Sequence, residues 1–522
     1  MIREIFRRKC LRLWLCKPEY MERTKWENRF VLLRFWKKNY MMFLKDLKRF
    51  KMERLYDKLK AYSESDFYAF HMPGHKRNKA LLGIELPYDL DITEIDGFDD
   101  LHHADGILKE EQERAARVFG AEESHFLVNG STAGILSAVM GCTHRGDKIL
   151  VARHCHKSIY HAIYMNGLVP RYVYPKFDIS MHMNGEISKE DVAKALAAEP
   201  DIKAVVIVSP NYDGVVSDVK GIAEVAHSYR IPLIVDEAHG PHFGFHPAFP
   251  GRANDLGADV VINSLHKTLP SLTQTAILHI NGKIVNRRRI KKYLDMLQSS
   301  SPSYIFMASL DACVDFVDGK CENAFELYVE RLQKFREELE PLQHLQILRT
   351  EHYDISKVVI STANANITSP ELAERLRKEY HLEMEMTGGT YVLAMTTVAD
   401  TQEGLDRLKA ALLEIDGQLE VKTAVSGSIE ISGELPRLEQ YFTPQEAADR
   451  EEDGEAEEIP WKESEGHISL EYAYLYPPGS PVIVPGERIS REAVELLCYY
   501  ETQNLQIEGI QTEGKIKVWK HE

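Results

Sequence analysis

Six short runs of mostly apolar, β-branched residues punctuate the chain at 126–128, 148–151, 204–208, 233–235, 260–262 and 276–280. Helical patterns separate most of them. Strands this short and this uniformly apolar belong to a mostly parallel sheet buried on both faces, because crossover connections lay helices over each side. This one feature restricts the chain to an α/β architecture. It also places any ligand at the carboxyl ends of the strands, where the loops of such sheets converge.

The texture changes past about residue 285. "RRRIKKYLDML" and "LYVERLQKFREELEPLQ" read as helices. Short strands around Ile347, 358–360 and 391–395 mix with helices at 369–380 and 401–414, the pattern of a smaller α+β domain. The acidic run "EAADREEDGEAEEIPWKESEG" is expected to be a solvated face or linker. The expected division is a basic extension (1–51), an N-terminal helix and loop segment (52–115), a large ligand-binding domain (116–305), a small domain (306–425) and a C-terminal domain (426–522).

Composition narrows the class of function. The 522 residues carry a net charge of −16, which argues against general nucleic-acid binding and suits a cationic small substrate. The seven cysteines are scattered without a CxxC pair, as expected in a reducing cytoplasm. Residues 1–51 stand apart, with 16 Lys/Arg against 5 Asp/Glu and three of the five tryptophans. Their apolar runs are far shorter than the roughly 18 residues of a membrane span. A basic amphipathic helix is one reading of this stretch, and a dispensable extension before a start near Met52 is the other.

Four strand ends carry polar residues. After 126–128 comes "NGSTAG" and then a helix. Small and hydroxyl residues at a helix N-terminus suit a phosphate, since free amides and the helix dipole both favour an anion, although such residues are also ordinary caps. After 233–235 comes "DEAHGPHFGFH", and "RHCHKS" adds His154 and His156. A metal site is the rival there, but no H-E-x-x-H spacing exists and Pro241 and Pro247 break any helix that would align the rings, so no metal is expected. After 260–262 comes Ser264-Leu265-His266-Lys267. A lysine behind a buried strand is costly unless it is paired or used, and Asp236 lies 31 residues earlier at another strand end. A phosphate cradle, a carboxylate and a lysine are together what pyridoxal phosphate requires, for its phosphate, its ring nitrogen and its aldehyde.

At these residues the chain resembles the Orn/Lys/Arg decarboxylases, in the short form that lacks an N-terminal wing domain. The resemblance runs from about Met52 to the C-terminus and rests on "HMPGHKRN", "FLVNGSTAG", "RHCHKS", "DEAHGPHF", "SLHKTL", "SSSPSY" and "YPPGSPVIVPGE". It implies an aspartate-aminotransferase-like, fold-type I large domain and the following roles. Lys267 bonds the cofactor as a Schiff base, Asp236 pairs with its ring nitrogen and His156 stacks on its ring. Ser131, Thr132 and Ala133 hold the phosphate, Ser264 and His266 reach it from the other side, and Ala238 and His239 lie beside the ring. Ser300 touches the neighbouring subunit's phosphate in a homodimer or tetramer with shared active sites. His239 stands where longer members often carry a bulkier aromatic residue.

The reaction implied is decarboxylation of arginine, lysine or ornithine, with a lean to arginine, in polyamine synthesis. Asp91, Glu94, Asp96, Asp99, Asp100 and Glu487 are candidates to receive the substrate's distal cation. Two alternatives stand: another fold-type I enzyme (an aminotransferase or lyase), or a catalytically silent regulatory homologue. Against an aminotransferase, Thr387-Gly388-Gly389-Thr390 occupies the stretch where an arginine for the α-carboxylate is expected.

Overall fold

Helix α1 (Leu55–Ser63) and a long irregular segment lead to α2 (Ile107–Val118). From there β-strands and helices alternate: β1 (Glu123–Leu127), α3 (Gly130–Cys142), β2 (Lys148–Ala152), α4 (Lys157–Met165), β3 (Val169–Val173), a hairpin of β4 (Phe177–Asp178) and β5 (Met183–Asn184), α5 (Lys189–Ala198), β6 (Val205–Val208), α6 (Val219–Ser228), β7 (Leu233–Asp236), β8 (Val260–Asn263), the single turn α7 (Leu265–Thr268) and β9 (Ala276–Ile280). The computed structural model describes residues 54–81, 83–178, 183–421, 434–475, 479–502 and 505–520. The basic extension, 1–51, lies outside them, as do residues 476–478 of the "YPPGSP" motif. Leu59–Glu522 form one compact unit.

Seven strands make the large sheet in the order β1-β9-β8-β7-β6-β2-β3, and only β9 runs against the rest. The four residues of each of β6, β7 and β8 are all buried, as two helical layers require. β3 was not among the runs expected from the sequence. It is an edge strand paired only with β2, so Pro170 and Arg171 are tolerated and no apolar run marks it. Helix α3 lies close on the sheet and on α8 (Arg287–Leu297), and glycines make this possible. A Cβ on Gly134 would lie 2.6 Å from Leu127 Cδ1, and one on Gly141 2.6 Å from Ile290 Cγ1.

Next come α9 (Tyr304–Val317), which is apolar on most of its surface and so lacks a helical period to read, and α10 (Glu322–Glu338). The antiparallel sheet β10-β11-β13-β12 follows, formed by β10 (Gln346–Ile347), β11 (Lys357–Ser361), β12 (Met386–Thr387) and β13 (Tyr391–Met395) with α11 (Ser369–Tyr380) and α12 (Gln402–Asp416). The elements expected at 358–360, 369–380 and 391–395 lie within these, and the helix expected at 401–414 is Gln402–Asp416, with Thr401 as its N-cap.

The acidic run corrects the expectation of a linker. It forms α13 (Pro444–Glu452), opened by a Thr443/Glu446 capping box, and then the strand Ala456–Pro460, paired with Lys515–Trp519. Glu457 and Glu458 are both exposed, on opposite faces of the strand; Glu458 meets Lys515 and Thr512, and Ile459 lies opposite Ile516. A high density of charge is compatible with a strand when the charged side chains reach solvent. No helix among the described residues is long and apolar enough to cross a membrane.

Candidate active site

β1, β2, β6, β7 and β8 run in one direction, so their carboxyl ends share one edge of the sheet. Their loops enclose a cleft of about 490 Å³. Ser131, Thr132, His156, Asp236, Ala238, His239, His266 and Lys267 all line it. Three further residues from the sequence reading do not. Ala133 is buried in α3, Ser264 is fully buried beneath the cleft, and Ser300 is exposed after α8.

Asp236 is the last residue of β7, between Val208 of β6 and Ile262 of β8. Its Oδ1 accepts the Ala238 amide at 3.1 Å. Burial pushes its carboxyl above the usual range, against the pull of Lys267 and that amide. Lys267 sits on α7, one turn past the neighbouring strand β8. Burial pulls its ammonium down, against Asp236 and Glu385, so the amine is more available as a nucleophile than an exposed lysine. Its Nζ lies 2.8 Å from His239 Nε2.

Gly130 opens α3 with φ +74, a conformation glycine adopts without strain. The N-cap side chain, Asn129, makes no capping bond, and its Oδ1 instead accepts from the Ser299 amide at 3.3 Å. Ser131 and Thr132 follow in the first turn, inside the helix, so neither is its cap. The helix presents free amides and two hydroxyl residues to the cleft, a setting that favours an anion.

His156 caps α4, its Nδ1 accepting the Ser158 amide at 3.2 Å and facing Ser158 Oγ at 2.9 Å. The proton of the neutral ring is therefore on Nε2. Burial, then Lys267 and two other basic neighbours, push its pKa down to about 4, so the ring is a neutral aromatic plate at physiological pH. His266 donates from Nδ1 to the Thr275 carbonyl at 3.0 Å.

Several cleft residues were not singled out from the sequence. Asn211, Tyr212 and Asp213 follow β6, the one parallel strand end whose polar tail, "SPNYDG", was passed over. The Tyr212 ring packs on His239 at 4.5 Å between centroids. Asp213 Oδ1 accepts the Tyr391 hydroxyl at 2.5 Å. Burial raises its pKa to about 6. Ser480, from the C-terminal segment, lines the cleft and donates to the His154 carbonyl at 2.8 Å. Lys357 reaches His239 Nδ1 at 3.1 Å from β11.

The acidic candidates for a distal cation have other partners. Glu487 is fully buried 2.9 Å from Arg153 Nη2 and also accepts the Val484 amide, so it is a structural ion. Asp99 accepts the amides of Asp100, Asp105, Gly106 and Leu108 and caps the start of α2. Asp91 pairs with His75, and Asp100 with His103. None of these carboxylates, nor Glu94 or Asp96, lines the cleft. The histidines of "DEAHGPHFGFH" disperse as well. His242 bridges Thr268 and Asp354, and His246 meets Glu326. Among the described residues, no group of three or more His, Cys, Asp or Glu is placed to hold a metal ion.

The donor set fits pyridoxal phosphate: an open helix N-terminus for the phosphate, a buried carboxylate for the ring nitrogen and a half-buried lysine for the aldehyde. Two buried polar atoms at or beneath the cleft, His154 Nδ1 and Ser264 Oγ, have no hydrogen-bond partner among the described residues.

Residues 53–413 match the major domain of the Orn/Lys/Arg decarboxylases, and residues 433–514 match their C-terminal domain. The chain is 33% identical over 471 residues to the arginine decarboxylase of Bacillus subtilis, covering 87% of this chain and 95% of that protein. It is 32% identical over 487 residues to the arginine decarboxylase of Bacillus anthracis, covering 89% and 97%. The crystal structure of a Francisella novicida lysine decarboxylase shares the fold with a TM-score of 0.77 at 20% identity, over 92% of this chain and 84% of that one.

Proposed function

This chain belongs to the Orn/Lys/Arg decarboxylase family and is a pyridoxal-phosphate-dependent decarboxylase of a basic amino acid, and we propose that the amino acid is arginine. The lean to arginine is supported by the relatives: those at 32–33% identity include several arginine decarboxylases, whereas the lysine decarboxylases stand at 23–25%.

The observation that carries the site is a single cleft holding a buried aspartate, a half-buried lysine and an uncapped helix N-terminus, each from a different strand end. In this reading Lys267 holds the cofactor's aldehyde carbon, Asp236 faces its ring nitrogen, and Ser131 and Thr132 with the first turn of α3 take its phosphate. When bound, pyridoxal phosphate supplies an electron sink for the pair left behind as the α-carboxylate departs as CO2. The protein's part is orientation and charge. Asp236 is already desolvated, so a cation at the ring nitrogen meets an undiluted negative charge. His156 covers one ring face without a charge of its own. Lys267, when released and protonated, would be the ammonium that gives a proton to the substrate's α-carbon and is left as the amine.

Ala238 and His239 border the ring in this reading, and His266 and Ser264 support the phosphate side. Ala133 contributes from within the helix, and Ser300 contacts a second copy of the chain. A homodimer or tetramer is supported by the exposed apolar residues Phe67, Tyr68, Phe70, Met72, Leu81 and Ile84, an extent of apolar surface rarely left to solvent. The domain division 52–115, 116–305, 306–425 and 426–522 is supported by the grouping of strands, the seven-stranded sheet falling in the second segment, the four-stranded sheet in the third and the C-terminal strands in the last. A cytoplasmic location is supported by Cys142, Cys155, Cys313, Cys321 and Cys498, all of them free.

The test is CO2 release from arginine, lysine and ornithine by the cofactor-loaded protein, with the visible absorbance of the bound cofactor followed in parallel. Arginine is expected to give the highest kcat/KM. Faster turnover of lysine or ornithine overturns the substrate, and absorbance without CO2 from any of the three overturns the activity. Lys267→Ala is expected to abolish both signals, and retained turnover refutes its role.

A further inference from the structure

His239 stands between two lysines from different sheets. Lys267 Nζ lies 2.8 Å from Nε2, and Lys357 Nζ lies 3.1 Å from Nδ1. Lys357 begins β11 and is fully buried. A buried lysine with no functional partner is costly, and the decarboxylation chemistry itself assigns this one no task.

A neutral imidazole has one N–H and one lone pair, so it donates from one nitrogen and accepts at the other. Burial keeps the His239 ring neutral, and the basic neighbours Lys267, Lys357, His156 and His266 act in the same direction. An ammonium only donates. Of the two lysines bonded to this ring, therefore, the one that receives the ring N–H is a neutral amine, and only the other, which donates to the bare nitrogen, can be an ammonium.

The surrounding carboxylates decide which is which. Burial pulls both ammonium groups down, Lys357 to about 8; against it Asp354, Glu385 and Asp213 favour charge on Lys357, with Lys267 opposing, whereas only Asp236 and Glu385 favour charge on Lys267. Asp354 is itself held ionised by His242 and Ser356. Asp236, in the reading above, is committed to the cofactor's ring nitrogen. The balance puts the ammonium at position 357.

We propose that Lys357 is a positioning residue: as an ammonium it donates to His239 Nδ1, leaving the ring proton on Nε2, and that N–H donates to the lone pair of Lys267 and holds it as a neutral amine ready to bond the cofactor. The inference rests on Lys267 being the cofactor's lysine. It adds a role for a residue some ninety positions away, on the other sheet.

The test uses cofactor-free full-length protein and the rate at which added pyridoxal phosphate develops its visible absorbance across a pH series. Only neutral Lys267 reacts, so the rate falls as pH drops through its titration. Removing the donor to its lone pair makes protonation easier and moves that midpoint upward. Lys357→Met is expected to raise the midpoint by about one pH unit, an approximately tenfold slower capture at pH 7. His239→Phe is expected to shift it likewise, and the double variant to add nothing further, since both break one bridge. Lys357→Arg, which keeps the charge, is expected to stay near the wild-type midpoint.

An unmoved midpoint in Lys357→Met or in His239→Phe overturns the proposal, as does a double variant whose shift is the sum of the two. If Lys357→Met does not fold, His239→Phe alone decides. Lys267→Ala separates the two readings. Absorbance that still develops at the wild-type rate in that variant refutes Lys267 as the cofactor's lysine. An unshifted profile in protein whose absorbance depends on Lys267 refutes only the role of Lys357.

Discussion

Asp236 and Glu237 are consecutive carboxylates with opposite fates. Asp236 faces the cleft, whereas Glu237 turns into the protein, accepting the Ala253 amide at 2.8 Å and Asn263 Nδ2 at 3.0 Å. Burial pushes the Glu237 carboxyl up to about 8, against those two hydrogen bonds. A folded-state pKa raised above the unfolded one stabilises the fold fully below the unfolded value and loses that contribution as pH rises through the folded value. Glu237 therefore makes the wild type less stable between about pH 4.5 and 8, by up to about 1.4 kcal/mol per pH unit. Glu237→Gln cannot ionise, and Asn263, whose Oδ1 has no partner, can turn to accept from it. Urea unfolding of both proteins over that range is expected to show their stability difference changing in favour of the variant as pH rises. A constant difference would refute the raised pKa. At this scale Asp236 and Lys267 were legible because the first ends an apolar strand and the second follows another within one turn, where a charge has no cheap reason to be. Lys357 begins its strand behind "DIS", and nothing local separates it from a solvated lysine.

At the scale of elements, the phosphate-side helix is placed by glycines. Gly134 brings α3 close to β1 and β8, and Gly141 brings it close to α8. A Cβ at 141 would lie 2.6 Å from Ile290 Cγ1 and 2.9 Å from its Cα, and backbone cannot rotate away as a side chain can. Gly141→Val is expected to cost about 1–3 kcal/mol in urea unfolding, and to weaken cofactor retention because α3 moves as a unit. An unchanged unfolding midpoint would show that the two helices yield. Strands with two buried faces were easy to read from their apolar runs. The edge strand β3, the mostly apolar helix α9 and the charged strand Ala456–Pro460 were not, since each lacks the one-sided periodicity that marks its type.

For the whole molecule, the C-terminal segment is joined to the large sheet by a buried ion pair. Arg153 and Glu487 are fully buried 2.9 Å apart, and the guanidinium also donates to the Val482 carbonyl at 3.0 Å and lies 4.8 Å from the Tyr172 ring centroid. Arg153→Met would strand a buried carboxylate and is expected to cost about 3–5 kcal/mol, whereas Arg153→Met with Glu487→Leu is expected to recover much of that loss. Unfolding of the single and double variants checks this, and a double variant worse than the sum of its parts refutes the pair. The α/β class, the lysine, the aspartate and the helix that faces them were determined by the sequence alone, because a parallel sheet gathers the residues that follow its strands at one edge whatever else the chain does. Partnerships between distant segments were decided only by the tertiary structure: Lys357 with His239 across 118 residues, and Glu487 with Arg153 across 334. Charge and apolar pattern report a residue's own surroundings along the chain, whereas a buried charge is assigned its role by whichever group the packing brings within hydrogen-bond reach.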